Sequence, residues 1–113
     1  MGTFTKVDKP AEHSDEVIYQ GSNSTTTINT LEFQPDWFHF KNRNENADGF
    51  HTIINTVDGT DKQIYFNDTD GLDSTDSIAS VTSNGCTLTG NRTYTNISGD
   101  GFVTHFLKLA SST

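Results

Sequence analysis

The sequence is short of the residues that build disulfide staples, membrane spans and helices, and each shortage excludes a class of protein. Cys86 is the only cysteine, so no intrachain disulfide can form and no multi-thiolate metal site is possible. No run approaches the ~18 apolar residues of a membrane-spanning helix. Residues 1–17 lack the apolar stretch of a signal peptide, and Lys6 stands where a myristoylation motif requires Ser or Thr. Positive charge is scarce: seven Lys and Arg against fifteen Asp and Glu leave a net charge of −8. Lys6 and Lys9 cancel Asp8 and Glu12 within residues 1–14, so the body carries the whole excess. Such a surface repels phosphate backbones and anionic bilayers, which sets nucleic acid and membrane aside as partners. Triplets of the Asn-x-Ser/Thr type, such as Asn91-Arg92-Thr93, are expected by chance in a chain so rich in Asn, Ser and Thr.

What remains is aromatic and turn-rich. Eight Phe, three Tyr and one Trp supply most of the large apolar side chains of the 113 residues, which is enough chain for one core. Val17-Ile18-Tyr19, Thr25 to Leu31, Phe50 to Thr56, Gln63 to Phe66, residues 77–82, Cys86-Thr87-Leu88 and Phe102 to Leu109 read as short strands. In Trp37-Phe38-His39-Phe40-Lys41 both faces carry aromatic residues, which predicts a central strand. Residues 77–82 read as strictly alternating. The pairs Asp48-Gly49, Asp58-Gly59, Asp70-Gly71, Asn84-Gly85 and Asp100-Gly101 are hairpin-type signals at regular spacing. Together these predict an all-β fold: an antiparallel β-sandwich or jelly roll of about eight short strands over residues 15–113, behind an extended N-terminal arm, residues 1–14.

Few constellations carry chemistry. His13, His39, His51 and His105 show no metal-ligand spacing, and a half-exposed strand histidine is the plain reading of His39 and His105. Asp68, Asp70, Asp73 and Asp76 could supply hard oxygens to Ca²⁺, although Phe66 falls where an EF-hand needs its first Asp; a solvated acidic loop is the simpler reading. No Gly-x-Ser-x-Gly elbow frames a serine nucleophile, and pairs such as Glu32 and Asp36 arise in any acidic chain, so no catalytic residue and no cofactor is expected. Trp37 and Tyr94 are candidate carbohydrate contacts, with core or interface as the competing role. Lys41-Asn42-Arg43 is the only basic cluster, and Lys41 and Arg43 join Phe4 and Val7 of the arm as candidate interface residues.

The order of these pieces resembles a β-domain that recurs in tail-fibre-like and other virion proteins of tailed phages, many of them marine. The resemblance rests on Phe33-Gln34-Pro35-Asp36 leading into the aromatic strand that ends Lys41-Asn42-Arg43. Val57-Asp58-Gly59, Ile64-Tyr65-Phe66-Asn67, Ser83-Asn84-Gly85-Cys86-Thr87-Leu88 and Asn96-Ile97-Ser98-Gly99-Asp100 follow in the same order, and Phe102 to Lys108 closes the match. It spans residues 17–110. Asp58 stands where relatives usually have Arg, and the last strand lacks their tryptophans.

The resemblance implies a non-enzymatic virion component, assembled in the host cytoplasm and displayed on the particle surface. A short chain behind an arm suits a many-copy lattice protein. The first expectation is therefore a capsid decoration, or cement, protein that contacts the major capsid protein and forms a homo-oligomer, with a trimer as the simplest case. The alternative is a tail-fibre or receptor-binding module that recognises host surface carbohydrate.

Overall fold

The computed structural model describes residues 12–44, 51–66 and 71–109. Nine strands run through them: β1 (Ser14–Gln20), β2 (Thr26–Ile28), β3 (Trp37–Asn42), β4 (His51–Asn55), β5 (Lys62–Tyr65), β6 (Asp73–Ser74), β7 (Ile78–Thr82), β8 (Gly85–Leu88) and β9 (Gly101–Leu107). They form a six-stranded sheet in the order β1-β9-β3-β4-β5-β6 and a three-stranded sheet in the order β2-β8-β7. Every pairing is antiparallel. The expected all-β sandwich is what the chain forms, with β3 central between β9 and β4. The arm candidates Phe4 and Val7 lie outside the described residues. The sheet already holds the end of the segment read as arm, because Ser14 opens β1 and the His13 carbonyl accepts from the Lys108 amide at 2.8 Å.

Alternation along the strands builds the core. Phe38, Phe40, Asn42, Phe102, Thr104 and Phe106 point inward and are fully buried, while their sequence neighbours point out. Phe38 meets Phe106 edge-on at 5.8 Å and stacks on Phe40 at 6.3 Å. Ile28, Ile78, Cys86 and Leu88 close this layer from the smaller sheet. Burying each such side chain contributes about 1.5–3 kcal/mol.

Strict alternation fails in β7. Its register shifts between Ile78 and Ser80. The extra residue brings Ile78 and Val81, three positions apart, onto the same core-facing side, whereas alternation would oppose them. The β7–β8 turn comprises Ser83 and Asn84, since Thr82 pairs with Gly85. Gly85 is needed for its neighbour rather than for the turn alone: a Cβ there would lie 1.8 Å from the Ile28 carbonyl oxygen.

Polar side chains lock the strand ends. The Asp36 carboxylate accepts from the Leu109 amide, and the Asp36 backbone bonds both Leu107 and Thr56, so the start of β3 is tied to β9 and β4. At the other end of β3, Asn42 donates to Asp100 at 2.7 Å and accepts from the Asn44 amide. Buried Asn96 accepts from the Ser22 amide at 2.8 Å and donates toward Ser24, Thr26 and Thr89. Asn96 therefore ties the 90–96 loop to the start of the smaller sheet.

Candidate functional site

Among the described residues, two places that present chemistry to the outside stand out, and they lie on opposite sides of the six-stranded sheet.

The first is the sheet's outer face. Three rows of paired residues cross it. One contains Ser14, Leu107, Trp37 and Asn55; the next Glu16, His105, His39, Ile53 and Ile64; the third Ile18, Val103, Lys41 and His51. Ile18 is 65% exposed, and Phe66, just past β5, is 67% exposed. Trp37, Val103 and Leu107 are half-buried, and Ile53 is enclosed by its neighbours.

A histidine ladder runs through the middle of this face. The His39 ring stacks on His105 and on His51, each with ring centres 5.2 Å apart, while Trp37 and Phe66 approach it at 6.2 and 6.4 Å. The geometry follows from register. His39 faces His105 directly across β3–β9, and His51 lies diagonally across β3–β4. His39 Nε2 and His51 Nδ1 share a hydrogen bond of 2.9 Å, and His105 Nδ1 lies 3.4 Å from a Glu16 carboxylate oxygen. Burial, followed by the charges of His105, His51 and Lys41, lowers the His39 pKa from its ordinary value. Two charged rings at this separation would repel by roughly 3 kcal/mol at an effective ε of 20 and by under about 1 kcal/mol in water. The centre of the ladder therefore favours a neutral imidazole. The plain reading of His39 and His105 as half-exposed strand histidines holds for each alone. What sequence spacing could not reveal is that three strands bring three of the four histidines together.

The second place is a cleft of about 250 Å³ between β5–β6 and the 91–94 loop, lined by residues including Gln63, Tyr65, Asp73, Asn91, Arg92 and Tyr94. Gln63 and Tyr65 alternate inward from β5, like the core residues of β4 beside them. The Gln63 amide donates to the Tyr65 hydroxyl at 2.5 Å and accepts from the Ser77 hydroxyl at 3.0 Å, and Thr75 and Ser77 hydroxyls meet at 3.1 Å. Tyr94 meets Tyr65 edge-on at 5.1 Å. Burial is the main reason the Tyr65 hydroxyl pKa is raised. Arg92 donates through Nε and Nη2 to one Asp76 oxygen at 2.7 and 2.6 Å, which pins the loop. Asn91 takes a left-handed backbone with φ of 58°, a conformation asparagine tolerates. This lining can hold a ligand by hydrogen bonds and ring contact.

The predicted residues are thus dispersed. Trp37 and Tyr94 cannot grip one sugar: Trp37 flanks Phe38, whose ring fills the core, and so points outward, while Tyr94 packs on the inward-facing Tyr65. Among the calcium candidates, Asp68 and Asp70 lie outside the described residues, Asp73 lines the cleft, and Asp76 is engaged by Arg92. Among the described residues no group of three His, Cys, Asp or Glu is placed to hold a metal. Lys41 lies on the outer face and donates to the Asn42 carbonyl, and Arg43 is exposed just beyond β3. Sequence reasoning missed Gln63, Tyr65 and Arg92. Only the inward alternation of Gln63 and Tyr65 hinted at them.

Fold and surfaces together define an antiparallel β-sandwich domain whose larger sheet presents an aromatic, histidine-bearing outer face. The chain belongs to the family described as a domain of unknown function, DUF7483, which matches residues 9–113. No curated protein and no solved structure matches it.

Proposed function

We propose that this chain is a structural protein of a bacteriophage virion, a capsid decoration protein that binds the outer head surface through the outer face of its six-stranded sheet. The observation that supports this reading is the set of outward apolar side chains on either side of the histidine ladder, Ile18 and Val103 in one row and Leu107 and Trp37 in another, with Phe66 past the end of β5. Isolated exposed apolar residues are normal on any surface, but several on one sheet face suit a contact with another subunit. Burial of these side chains would supply the affinity, with Lys41 and Arg43 available to an acidic neighbour. The β1 edge offers backbone groups for strand addition, and Asp15 and Glu16 on it disfavour indiscriminate pairing.

Capsids assembled with and without the protein test the reading. Loss of heat resistance on omission is expected, restored by the wild-type chain and not by a Trp37→Ala/Ile18→Ser variant that folds normally. Equal resistance in all three particles overturns it.

The cleft beside Tyr94 favours a second reading, a receptor-binding module of a tail fibre that recognises host surface carbohydrate. A glycan array probed with the intact chain tests it, and an array without a binder rejects it.

A further inference from the structure

We propose that the cleft between β5–β6 and the 91–94 loop is a subsite for one neutral sugar ring, with the Tyr94 ring as its apolar wall and Asp73 and Asn91 as its hydrogen-bonding partners. The proposal rests on the second reading above and assigns it a site.

Size comes first. At about 250 Å³ the cleft falls below the ~300–1,000 Å³ of pockets that enclose drug-sized ligands, so it suits one ring rather than an extended molecule. Polarity narrows the class. The lining mixes both kinds of surface: hydroxyl, amide, carboxylate and guanidinium groups alternate with the carbon of two tyrosine rings, the threonine methyls and the arginine stem. A wholly apolar ligand would strip water from the polar groups without replacing their bonds, whereas a ligand that carries both C–H faces and hydroxyls matches the carbon and the polar parts of the wall. A pyranose also has a face of C–H groups that rests against an aromatic ring, which Tyr94 supplies.

Charge then separates neutral from acidic sugars. The one cation of the lining, Arg92, is already paired with Asp76, and the other charged group is the Asp73 carboxylate. A carboxylated or phosphorylated sugar would meet Asp73 without an uncommitted guanidinium to offset it. A neutral sugar meets an acceptor suited to its hydroxyls.

The walls are also set in advance. The chain of bonds through Tyr65, Gln63, Ser77 and Thr75 fixes one side, and the Arg92–Asp76 pair with buried Asn96 fixes the other. Little ordering remains to be done on binding. Trp37, the alternative aromatic, is half-buried beside the His39 ring on the opposite side of the sheet.

The test is a titration of the isotopically labelled full chain with methyl glycosides of glucose, galactose, mannose and N-acetylglucosamine in the millimolar range, followed by amide NMR and run beside the glycan array. Support requires saturable shifts confined to residues 63–65, 73–77 and 91–94 for at least one sugar. These shifts should weaken at least tenfold in Tyr94→Ala and persist in Trp37→Ala. Shifts centred on Trp37 and His39, or array binding that Tyr94→Ala and Asp73→Ala leave intact, overturn the cleft and leave the carbohydrate reading standing. Silence in both experiments overturns both. The shift map comes from the wild-type chain, so the test stays decisive even where Tyr94→Ala misfolds.

Discussion

The two faces of the six-stranded sheet are made by the same strands under the same alternation, yet they end in opposite states. Inward, Phe38, Phe40 and Phe106 are sealed beneath the smaller sheet and Phe102 is buried against Tyr19, all with no exposed surface. Outward, Trp37, His39, Val103, His105 and Leu107 occupy the intervening positions of β3 and β9 and remain half-open. Ring content is similar on the two sides. The difference is that β2, β8 and β7 return to cover one face, and among the described residues no strand covers the other. Burial here is decided by where the chain goes next more than by residue type.

Substitution of neighbours on one strand breaks the comparison most sharply. Phe38→Ala opens a cavity beneath the smaller sheet and should cost about 3–5 kcal/mol. Trp37→Ala, one residue away, should cost under about 1.5 kcal/mol, because its ring is only partly covered. Chemical denaturation of both variants measures the gap, and equal losses would mean that the outer face is as structural as the inner.

Asn96→Ala should follow, at about 2–4 kcal/mol. It leaves the Ser22 amide and the Thr89 carbonyl without the side-chain amide that joins them. The same measurement checks it, and the amide shifts of residues 91–94 should move with it.

A smaller effect separates the faces by pH. The folded pKa of His39 is lowered, so the unfolded chain takes up its proton first as pH falls. The His39 contribution to stability is therefore complete above the ordinary histidine pKa of about 6.5 and is lost as pH drops through the lowered folded value. Denaturation at pH 7.5 and at pH 5 should show a smaller acid loss in His39→Gln than in the wild type. An unchanged loss would assign the acid sensitivity elsewhere.

The smallest effect lies inside. The buried Thr52 hydroxyl has no hydrogen-bond partner among the described residues. Thr52→Val keeps the shape and removes the unsatisfied group, so stability to denaturant should rise by about 1 kcal/mol.

Much of the sandwich was legible along the chain. The inward phenylalanines and the central place of β3 follow from alternation, which acts between near neighbours. The Asx-Gly signals were less exact: Asn84-Gly85 straddles the end of a Ser83-Asn84 turn, Gly101 already opens β9, and Asp48-Gly49 and Asp70 lie outside the described residues. Two strand features were not legible. β6, Asp73 and Ser74, is two polar residues of an acidic stretch whose one large apolar residue, Leu72, is exposed, and it pairs because β5 lies beside it. The β7 bulge breaks a pattern that reads as regular, since a single extra residue is visible only against its partner strand. The surfaces were less legible still. Tyr94 could be named as an exposed aromatic, but Tyr65 and Gln63 join it from a distant strand, and Arg92, two residues away, is fixed by Asp76 of another segment.

Local sequence thus determined that this protein is built of strands, which side chains of most strands point the same way, and that it carries an excess of negative charge. Tertiary structure alone decided which face the smaller sheet covered, that His39, His51 and His105 stand as one ladder, and that β5 and the 91–94 loop enclose a cleft. The reason is physical: backbone alternation and turn preference operate over a few residues, whereas cross-strand register and sheet packing join residues whose separation along the chain leaves no periodic trace.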